Sequence, residues 1–303
     1  MKVLVATEKP FAKAAVDGIR EIVEKNGHTL ALLENYTDVN DLYKAVADAD
    51  ALIVRSDKVT KEVVDAAKNL KIVVRAGAGY DNLDLEACTA KGIVAMNTPG
   101  QNSNAVAELI MGMMIYMARN QFTPASGTEL AGKKLGIHAF GNIGRLVAKY
   151  GQGLGMDVYV YRPTGGTVDA PGVTQVATVE ELYSTCNYVS LHIPANDKTK
   201  KSIGYDLLSK MPKGGTLINA ARKEVIDEEG LAKAFAERTD LKYATDVAAT
   251  THADLVKQFE GRVYATPKKM GAQTSEANIN AGLASANQIV NFFATGDKTY
   301  QVN

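Results

Sequence analysis

Cysteine is scarce in this sequence, and charge of neither sign is in excess. Two cysteines, Cys88 and Cys186, are too few for a disulfide framework in 303 residues. We therefore expect reduced thiols in a cytoplasmic protein. Lysine and arginine together number 34, as do aspartate and glutamate. No net field draws such a chain to nucleic acid or to a membrane surface.

Long apolar runs are also missing. The apolar start of the chain, residues 1–6, is far too short for a signal peptide, and the stretch 109–118 is about half a membrane span. We expect neither a leader nor a membrane anchor. Hydrophobic residues make up 46% and charged residues 22%, as in a soluble globular protein. The length allows two domains of ordinary size.

Short apolar strands alternate with helices along the first hundred residues. This alternation predicts a parallel sheet covered on both faces, with ligands bound beyond the carboxyl ends of its strands. Arg55 and Ser56 end the third strand, and Arg75 to Gly79 end the fourth. The predicted strands are 2–6, 29–33, 51–55 and 72–76, and the predicted helices are 12–26, 39–47 and 61–68.

A second series of strands and helices begins near residue 97. Its first helix, 104–119, is apolar over much of its surface, which favours packing at a domain junction or subunit interface. A strand, a helix and a strand follow at 134–139, 145–153 and 157–161. Later predicted strands are 188–192, 216–219, 243–247 and 263–265, and the last predicted helix is 275–294.

The turn after the strand 134–139 has the spacing of a dinucleotide site. Ala139, Gly141 and Gly144 form an Ala-x-Gly-x-x-Gly pattern between strand and helix, where backbone can approach a pyrophosphate. The alternative is a tight turn that binds nothing. Arg162 stands where an acidic residue would bond the ribose hydroxyls of NAD. It could pair with the 2′-phosphate of NADP, stack on adenine or point to solvent, which leaves NAD or NADP open.

Four motifs stand in order between residues 50 and 250. They are 53–56 with RAGAGYDNLD at 75–84, NTPGQNS at 97–103, LHIP at 191–194 with Thr199, and INAAR at 218–222 with 225–227 and 246–247. Together they resemble the D-isomer-specific 2-hydroxyacid dehydrogenase family, and within it the branch that acts on 3-phosphoglycerate. The resemblance implies NAD-dependent oxidation of 3-phosphoglycerate to 3-phosphohydroxypyruvate, a reaction of serine biosynthesis. It implies no metal.

The resemblance also implies an α/β fold with two parallel-sheet domains, one flavodoxin-like and one Rossmann-like. A discontinuous substrate-binding domain would comprise 1–96 and 275–303, and the nucleotide-binding domain would be 97–274. The resemblance further implies a homodimer formed largely through the nucleotide domains. Because the sequence stops soon after this core, we expect no C-terminal regulatory domain and no feedback by serine through one.

By resemblance, Arg222 is the cation that fixes the substrate carboxylate and polarises the carbonyl. The proton carrier departs from the family pattern of Thr-Pro-His, because here Thr266 and Pro267 precede two lysines and the segment is one residue longer. Counting from the strand favours Lys268, and counting back from Gly271 gives Lys269. The alternative is two surface lysines and lost chemistry.

A second departure accompanies the first. The family's glutamate partner of the histidine is replaced by Thr251, and a lysine ammonium has no ring tautomer to orient. A lysine acid predicts that oxidation accelerates toward alkaline pH. We assign catalysis to none of the histidines, and His192 is the fallback.

The substrate phosphate needs cations at the strand ends of the first domain. Arg55, Arg75 and Lys58 are the candidates, although Lys58 could be solvated and Arg75 structural. Ser56 and Asn102 could add hydrogen bonds, and amides at Ala78 and Gly79 would hold the carboxylate. The expected cofactor contacts are Ala139, Gly141, Asn142, Ile143, Gly144, Arg162, His192, Ile193, Pro194, Thr199, Ala220, Ala221, Asp246 and Gly271.

Two other functions remain open. One is a hydroxypyruvate or glyoxylate reductase, or a dehydrogenase of another phosphorylated acid such as erythronate 4-phosphate. The other is a non-catalytic, dinucleotide-sensing binding protein, as in the family's corepressor branch. The retention of Arg222 favours an enzyme.

Overall fold

The computed structural model describes all 303 residues, which form two compact units. Unit 1 comprises Met1–Asn102 and Ala272–Asn303, and unit 2 is Ser103–Gly271. The expected boundaries after residues 96 and 274 lie a few residues from these. The segment after residue 97 stays with unit 1 because Thr98 bonds to Gly77, its N–H donating to the Gly77 oxygen at 2.9 Å.

Twelve strands form two sheets, and every strand pair within them is parallel. The strands are β1 (Lys2–Thr7), β2 (Thr29–Glu34), β3 (Ala51–Val54), β4 (Ile72–Arg75), β5 (Val94–Asn97), β6 (Lys134–His138), β7 (Asp157–Tyr161), β8 (Val173–Gln175), β9 (Tyr188–Leu191), β10 (Thr216–Asn219), β11 (Lys242–Thr245) and β12 (Val263–Ala265).

Eleven α-helices connect these strands, and none combines the length and apolar character needed to cross a membrane. The helices are α1 (Lys13–Lys25), α2 (Val39–Val46), α3 (Lys61–Ala66), α4 (Leu85–Ala90), α5 (Ser103–Ala118), α6 (Asn142–Gly153), α7 (Val179–Thr185), α8 (Tyr205–Leu208), α9 (Glu228–Glu237), α10 (His252–Gln258) and α11 (Ser275–Thr295).

The sheet of unit 1 has the order β2-β1-β3-β4-β5, which is the flavodoxin-like order. All four residues of β3 are buried, because helices cover both faces of the sheet. Some helices of this unit begin at N-cap residues whose side chains accept a backbone hydrogen bond. Asp84 accepts a hydrogen bond from the N–H of Ala87, and Thr274 accepts one from Ala277.

The sheet of unit 2 has the order β12-β11-β10-β9-β6-β7-β8. Counted within the unit, this is the Rossmann order 3-2-1-4-5-6 with one further strand at the edge. Two apolar cores lie in this unit. The predicted class, α/β with two parallel-sheet domains, is confirmed. The predicted start of one helix at residue 145 is wrong: α6 begins at Asn142, so Gly144 lies inside its first turn.

Candidate functional site

The turn between β6 and α6 leaves backbone open to a ligand. A side chain added at Gly141 would meet no atom within 4 Å, so this face of the turn is free. At Gly144 an added Cβ would lie 2.6 Å from the Ala139 oxygen, so only glycine lets the helix approach the strand this closely. The amides of Asn142 and Ile143 lie in the first turn of α6, where no intrahelical acceptor is available. The turn therefore fits a pyrophosphate.

Ala139, in the first position of this turn, has an unusual backbone conformation. Its φ is +80°, in the region that favours glycine. Its N–H donates to the oxygen of Tyr161 at 2.9 Å, which holds the residue against β7. The family's preference for glycine here follows from this φ, and alanine pays a steric cost.

His138 and His192 lie side by side at the ends of β6 and β9, where the His192 N–H donates to the His138 oxygen at 2.9 Å. Burial lowers the pKa of His138 to about 4. Burial, and secondarily the nearby His138, lower the pKa of His192 to about 3. Both rings are neutral near pH 7, so His192 is poorly suited to the fallback role of proton donor.

The segment after His192 is held by its own hydrogen bonds. The Thr199 hydroxyl donates to the Pro194 oxygen at 2.5 Å and accepts from the Asn196 N–H at 2.9 Å. Ile193 is buried in the core of unit 2. Thr199 thus fixes the loop that follows β9, and the buried side chain of Ile193 anchors the start of this loop in the core.

Arg162, directly after β7, has no hydrogen-bond acceptor or carboxylate partner for its guanidinium. A Cβ added at Gly166 would lie 3.4 Å from its Nη1, so the side chain lies over this glycine. Gly165 and Gly166 both have positive φ, at 69° and 82°. The cation is thus available at the strand end where adenosine ribose is read in Rossmann sheets.

Arg222 follows β10 on a turn that the buried Asn219 organises. The Asn219 side chain donates to the Arg222 oxygen and accepts from the Ala221 N–H, both at 3.0 Å. Arg222 Nη1 donates to the Ala221 oxygen at 2.9 Å. No carboxylate lies within ion-pair distance of this guanidinium. Its charge remains available to an anion.

The lysine segment wraps around Asp246, whose side chain is 2% exposed. Its carboxylate accepts from the Thr266 hydroxyl at 2.7 Å and from the N–H groups of Met270 and Gly271, each at 2.8 Å. A Cβ at Gly271 would lie 2.9 Å from Asp246 Oδ2, so glycine is required there. Asp246 and Gly271, expected at the cofactor, are thus bonded to each other and hold this loop.

Arg222, Lys268 and Lys269 line one cavity of about 390 Å³ in unit 2, so the structure brings all three together. Both lysines are exposed. At Thr251, where the family has glutamate, another carboxylate is present. Glu228 accepts from the Thr251 N–H at 3.1 Å and from the Thr251 hydroxyl.

In unit 1 the guanidinium of Arg75 lies directly over Gly77. A Cβ added there would be 1.5 Å from Arg75 Nη1, which excludes any side chain at 77 in this arrangement. Arg75 Nε donates to the Arg55 oxygen at 3.0 Å, and its two terminal nitrogens have no protein partner. Burial and the adjacent Arg55 lower the pKa of Arg75, while Asp81 opposes them.

Arg55 is held by neutral oxygens. Its terminal nitrogens donate to Asn278 Oδ1 at 2.6 Å and to the oxygens of Lys9 and Pro10 at 3.3 and 3.2 Å, and it lies 5.1 Å from the ring centre of Phe11. Neither Arg55 nor Arg75 forms an ion pair. Two guanidiniums without ion-pair partners thus lie at adjacent strand ends, an arrangement that suits an anion.

The loop after β4 presents two free amides. The Ala78 oxygen accepts from the Asn97 side chain at 2.6 Å, and the Gly77 N–H donates to the Thr98 hydroxyl at 2.6 Å. These bonds fix the loop, while the N–H groups of Ala78 and Gly79 donate to no protein atom. Of the other predicted residues, Ser56 and Lys58 are exposed and Asn102 is half-buried.

The sequence did not predict the residues that fix the loops carrying these candidate site residues. Asn97 and Thr98 each make one side-chain bond to the loop after β4, and Asn219 and Asn278 each make two side-chain bonds. Glu228 bonds to Thr251. Asn97, Thr98 and Asn219 lie within the motifs quoted above. For Asn278 no local signal exists, since its partner is 223 residues away.

Residues 104–287 match the family described as D-isomer specific 2-hydroxyacid dehydrogenase, NAD binding domain. The hydroxypyruvate reductase of Thermotoga maritima is 34% identical over 284 residues, covering 87% of this chain and 91% of that protein. The D-3-phosphoglycerate dehydrogenase of Methanocaldococcus jannaschii is 37% identical over 266 residues, covering 82% of this chain and 51% of that protein.

The crystal structure of NAD⁺-bound 3-phosphoglycerate dehydrogenase from Entamoeba histolytica is similar throughout. It is 50% identical, with a TM-score of 0.87, and the alignment covers 100% of this chain and 98% of that one. The chain spans about half the length of the curated D-3-phosphoglycerate dehydrogenases it matches.

The backbone of Ala139 generates a stability prediction. Ala139→Gly should raise the free energy of unfolding by about 0.5–1 kcal/mol, because relief of the left-handed strain exceeds the entropy cost of glycine. Ala148→Gly, inside α6, is the matched control and should lower it by about 1 kcal/mol. Chemical denaturation measures both, and an Ala139→Gly protein no more stable than the parent would contradict the strain.

Proposed function

The chain belongs to the D-isomer specific 2-hydroxyacid dehydrogenase family, NAD-binding oxidoreductases that act on CH–OH groups, and on that premise we propose that its substrate is 3-phosphoglycerate. The product would be 3-phosphohydroxypyruvate, a precursor in serine biosynthesis. The observation that carries this choice is the pair of unneutralised guanidiniums at Arg55 and Arg75. An unphosphorylated acid would leave these two half-buried charges without an anionic partner.

The remaining groups of the substrate have matching partners in each unit. In unit 1, the free amides of Ala78 and Gly79 suit a carboxylate, because consecutive N–H groups form an anion-binding concavity. In unit 2, Arg222 offers a planar, permanently charged fork for a carboxylate and carbonyl oxygen. Ser56 and Asn102 are proposed as further hydrogen-bond partners of the phosphate.

Bound NAD would supply the hydride acceptor for oxidation at the hydroxyl-bearing carbon. Arg222 stabilises the negative charge that develops on the oxygen as the hydroxyl proton leaves, and it polarises the carbonyl in the reverse direction. Lys268 or Lys269, which share the cavity with Arg222, takes the hydroxyl proton and returns it in the reverse direction. Asp246 holds the backbone on both sides of Met270, so it positions the loop that carries both lysines.

Arg162 bears on the choice of dinucleotide. NAD is the cofactor of the family and of the Entamoeba relative. With a cation and no carboxylate at the end of β7, we propose that NADPH is also accepted.

Hydroxypyruvate reduction is the second candidate, favoured by the Thermotoga relative's name and its coverage of 91% of that protein. The two candidates differ only in the phosphate.

A substrate comparison tests the proposed function. With NADH, the enzyme should reduce 3-phosphohydroxypyruvate with a kcat/KM well above that for hydroxypyruvate. Arg75→Met should raise KM for the phosphorylated acid by about 10- to 100-fold, the loss of charge-assisted bonds to phosphate, and leave KM for hydroxypyruvate unchanged. Absorbance of the nicotinamide reports both rates.

The exposed surface arginine of α1, Arg20, provides the control: Arg20→Met should change neither KM. Equal kcat/KM values for both keto acids in the parent enzyme would favour hydroxypyruvate reductase. No turnover of any 2-keto acid would favour the dinucleotide-sensing alternative.

Alanine substitution of each lysine identifies the proton carrier. Replacing the one that transfers the proton should lower kcat by about 10²- to 10⁴-fold. Added methylammonium should restore part of that rate, because a free amine can occupy the vacated space. The other substitution, and Lys257→Ala on the surface of α10, should have small effects that methylammonium does not change. If both single variants keep the parent rate, neither lysine is the acid.

We also propose that the chain forms a homodimer through unit 2. Ile115 and Phe122 are 38% and 68% exposed near the end of α5. Tyr116 packs edge-on against Phe122 and Tyr264, with ring centres 5.2 and 4.8 Å apart. An exposed aromatic and aliphatic surface of this kind favours a protein partner.

The buried free thiols of Cys88 and Cys186 fit the proposed cytoplasmic setting.

Charge on this surface should separate the subunits. The double variant Ile115→Glu, Phe122→Glu should elute as a monomer by size-exclusion chromatography with light scattering, because two like charges would be buried without partners in the interface. Leu32 in unit 1 is as exposed as Ile115, so Leu32→Lys is the control, and this variant should remain a dimer. A dimeric double variant would place the interface elsewhere.

A further inference from the structure

We propose that Asn278 of α11 is a positioning residue for Arg55 and thereby sets the preference for a phosphorylated substrate, an inference that rests on the proposed function. The bond from Arg55 Nη2 to Asn278 Oδ1, at 2.6 Å, is the shortest hydrogen bond of that guanidinium. The other two, to the oxygens of Lys9 and Pro10, exceed 3 Å. Asn278 is therefore the main contact that orients the arginine.

The orientation of the Asn278 amide is itself determined. Its Nδ2 donates to the Thr274 oxygen at 2.8 Å, one turn earlier in α11, which leaves Oδ1 toward Arg55. Thr274 caps the same helix by accepting from the Ala277 N–H at 3.1 Å. The acceptor for Arg55 is thus anchored to the first turn of a 21-residue helix.

The chemistry of the acceptor matters as much as its position. An amide oxygen holds a guanidinium without cancelling its charge, whereas a carboxylate would neutralise it and compete with a phosphate. The nearby carboxylate, Asp57, attracts the Arg55 guanidinium electrostatically but forms no ion pair with it. It accepts from the Tyr36 hydroxyl at 2.8 Å and from the Glu8 N–H at 2.7 Å. Asp57 thereby fixes the loop whose Lys9 and Pro10 oxygens also contact Arg55.

This arrangement divides the work between the two arginines. Arg55 is held by three neutral oxygens and contributes a fixed positive charge. Arg75 is held only at Nε, and its terminal nitrogens are free to bind an anion directly. Asn278 acts on the phosphate through Arg55, so its loss should change recognition of the phosphate and not the chemistry at the hydroxyl-bearing carbon.

Two substitutions at residue 278 distinguish an effect on the position of Arg55 from an effect on its charge. Asn278→Ala removes the holder and should raise KM for 3-phosphohydroxypyruvate several-fold. Asn278→Asp keeps an acceptor in place but neutralises Arg55, and should raise that KM further, by about tenfold or more. In both variants kcat, and KM for hydroxypyruvate, should stay near the parent values. A purely structural role would instead tolerate aspartate better than alanine.

Asn287→Asp is the matched control. Asn287 lies on the same helix and makes the same backbone contact, its Nδ2 donating to the Leu283 oxygen at 3.0 Å, but it contacts no arginine. This variant should leave both KM values unchanged. Melting temperatures of all variants, read by circular dichroism, show whether any loss comes from unfolding.

The outcomes distinguish this inference from the function on which it rests. A parent enzyme that prefers the phosphorylated acid, with an Asn278→Asp variant whose KM values match it, would overturn the positioning role alone. Equal losses for both keto acids in Asn278→Asp would overturn it too. A parent enzyme without preference for the phosphorylated acid would overturn the proposed substrate and the positioning role together.

Discussion

In-register parallel pairing of the strands is the constraint on which both halves of the chemistry depend. Val54 pairs with Arg75, and Arg75 with Asn97, so the loops that follow β3, β4 and β5 leave the sheet side by side. In unit 2, Asn219 pairs with Thr245 and Thr245 with Ala265, which aligns the loops of Arg222, Asp246 and the lysines. A slip of one residue would turn each of these side chains to the opposite face.

Neutral or fully bonded groups hold the charged ones. Asn219 organises the Arg222 turn, Asn278 orients Arg55, and the carboxylate of Asp246 accepts from three donors of the lysine segment after β12. Arg55, Arg75 and Arg222 consequently form no ion pair with a carboxylate of the protein. Such preorganised charge is stabilised by the surrounding packing, and an arriving anion meets it without rearrangement.

The sequence was sufficient for the architecture and for most charged residues of the site. The buried strand β3 is a continuous apolar run, and the motifs with Arg75 and Arg222 lie at the carboxyl ends of strands. Short elements such as α4, α8 and β8 escaped because six, four and three residues carry too little periodicity. The start of α6 was misplaced because its first turn, Asn142 to Gly144, carries the motif itself. The bond of Arg55 to Asn278 joins residues far apart in sequence, and only the fold brings them together.

Unit 1 is built from two segments of the chain, with all of unit 2 between them. During synthesis, Arg55 and the sheet that carries it emerge before unit 2, and α11 emerges after unit 2. Until α11 is made, the face of the first segment that this helix covers therefore stays exposed to solvent. Unit 2 can complete its own sheet before then. A chain interrupted before α11 would therefore contain all of unit 2, but a unit 1 without the helix whose Asn278 holds Arg55.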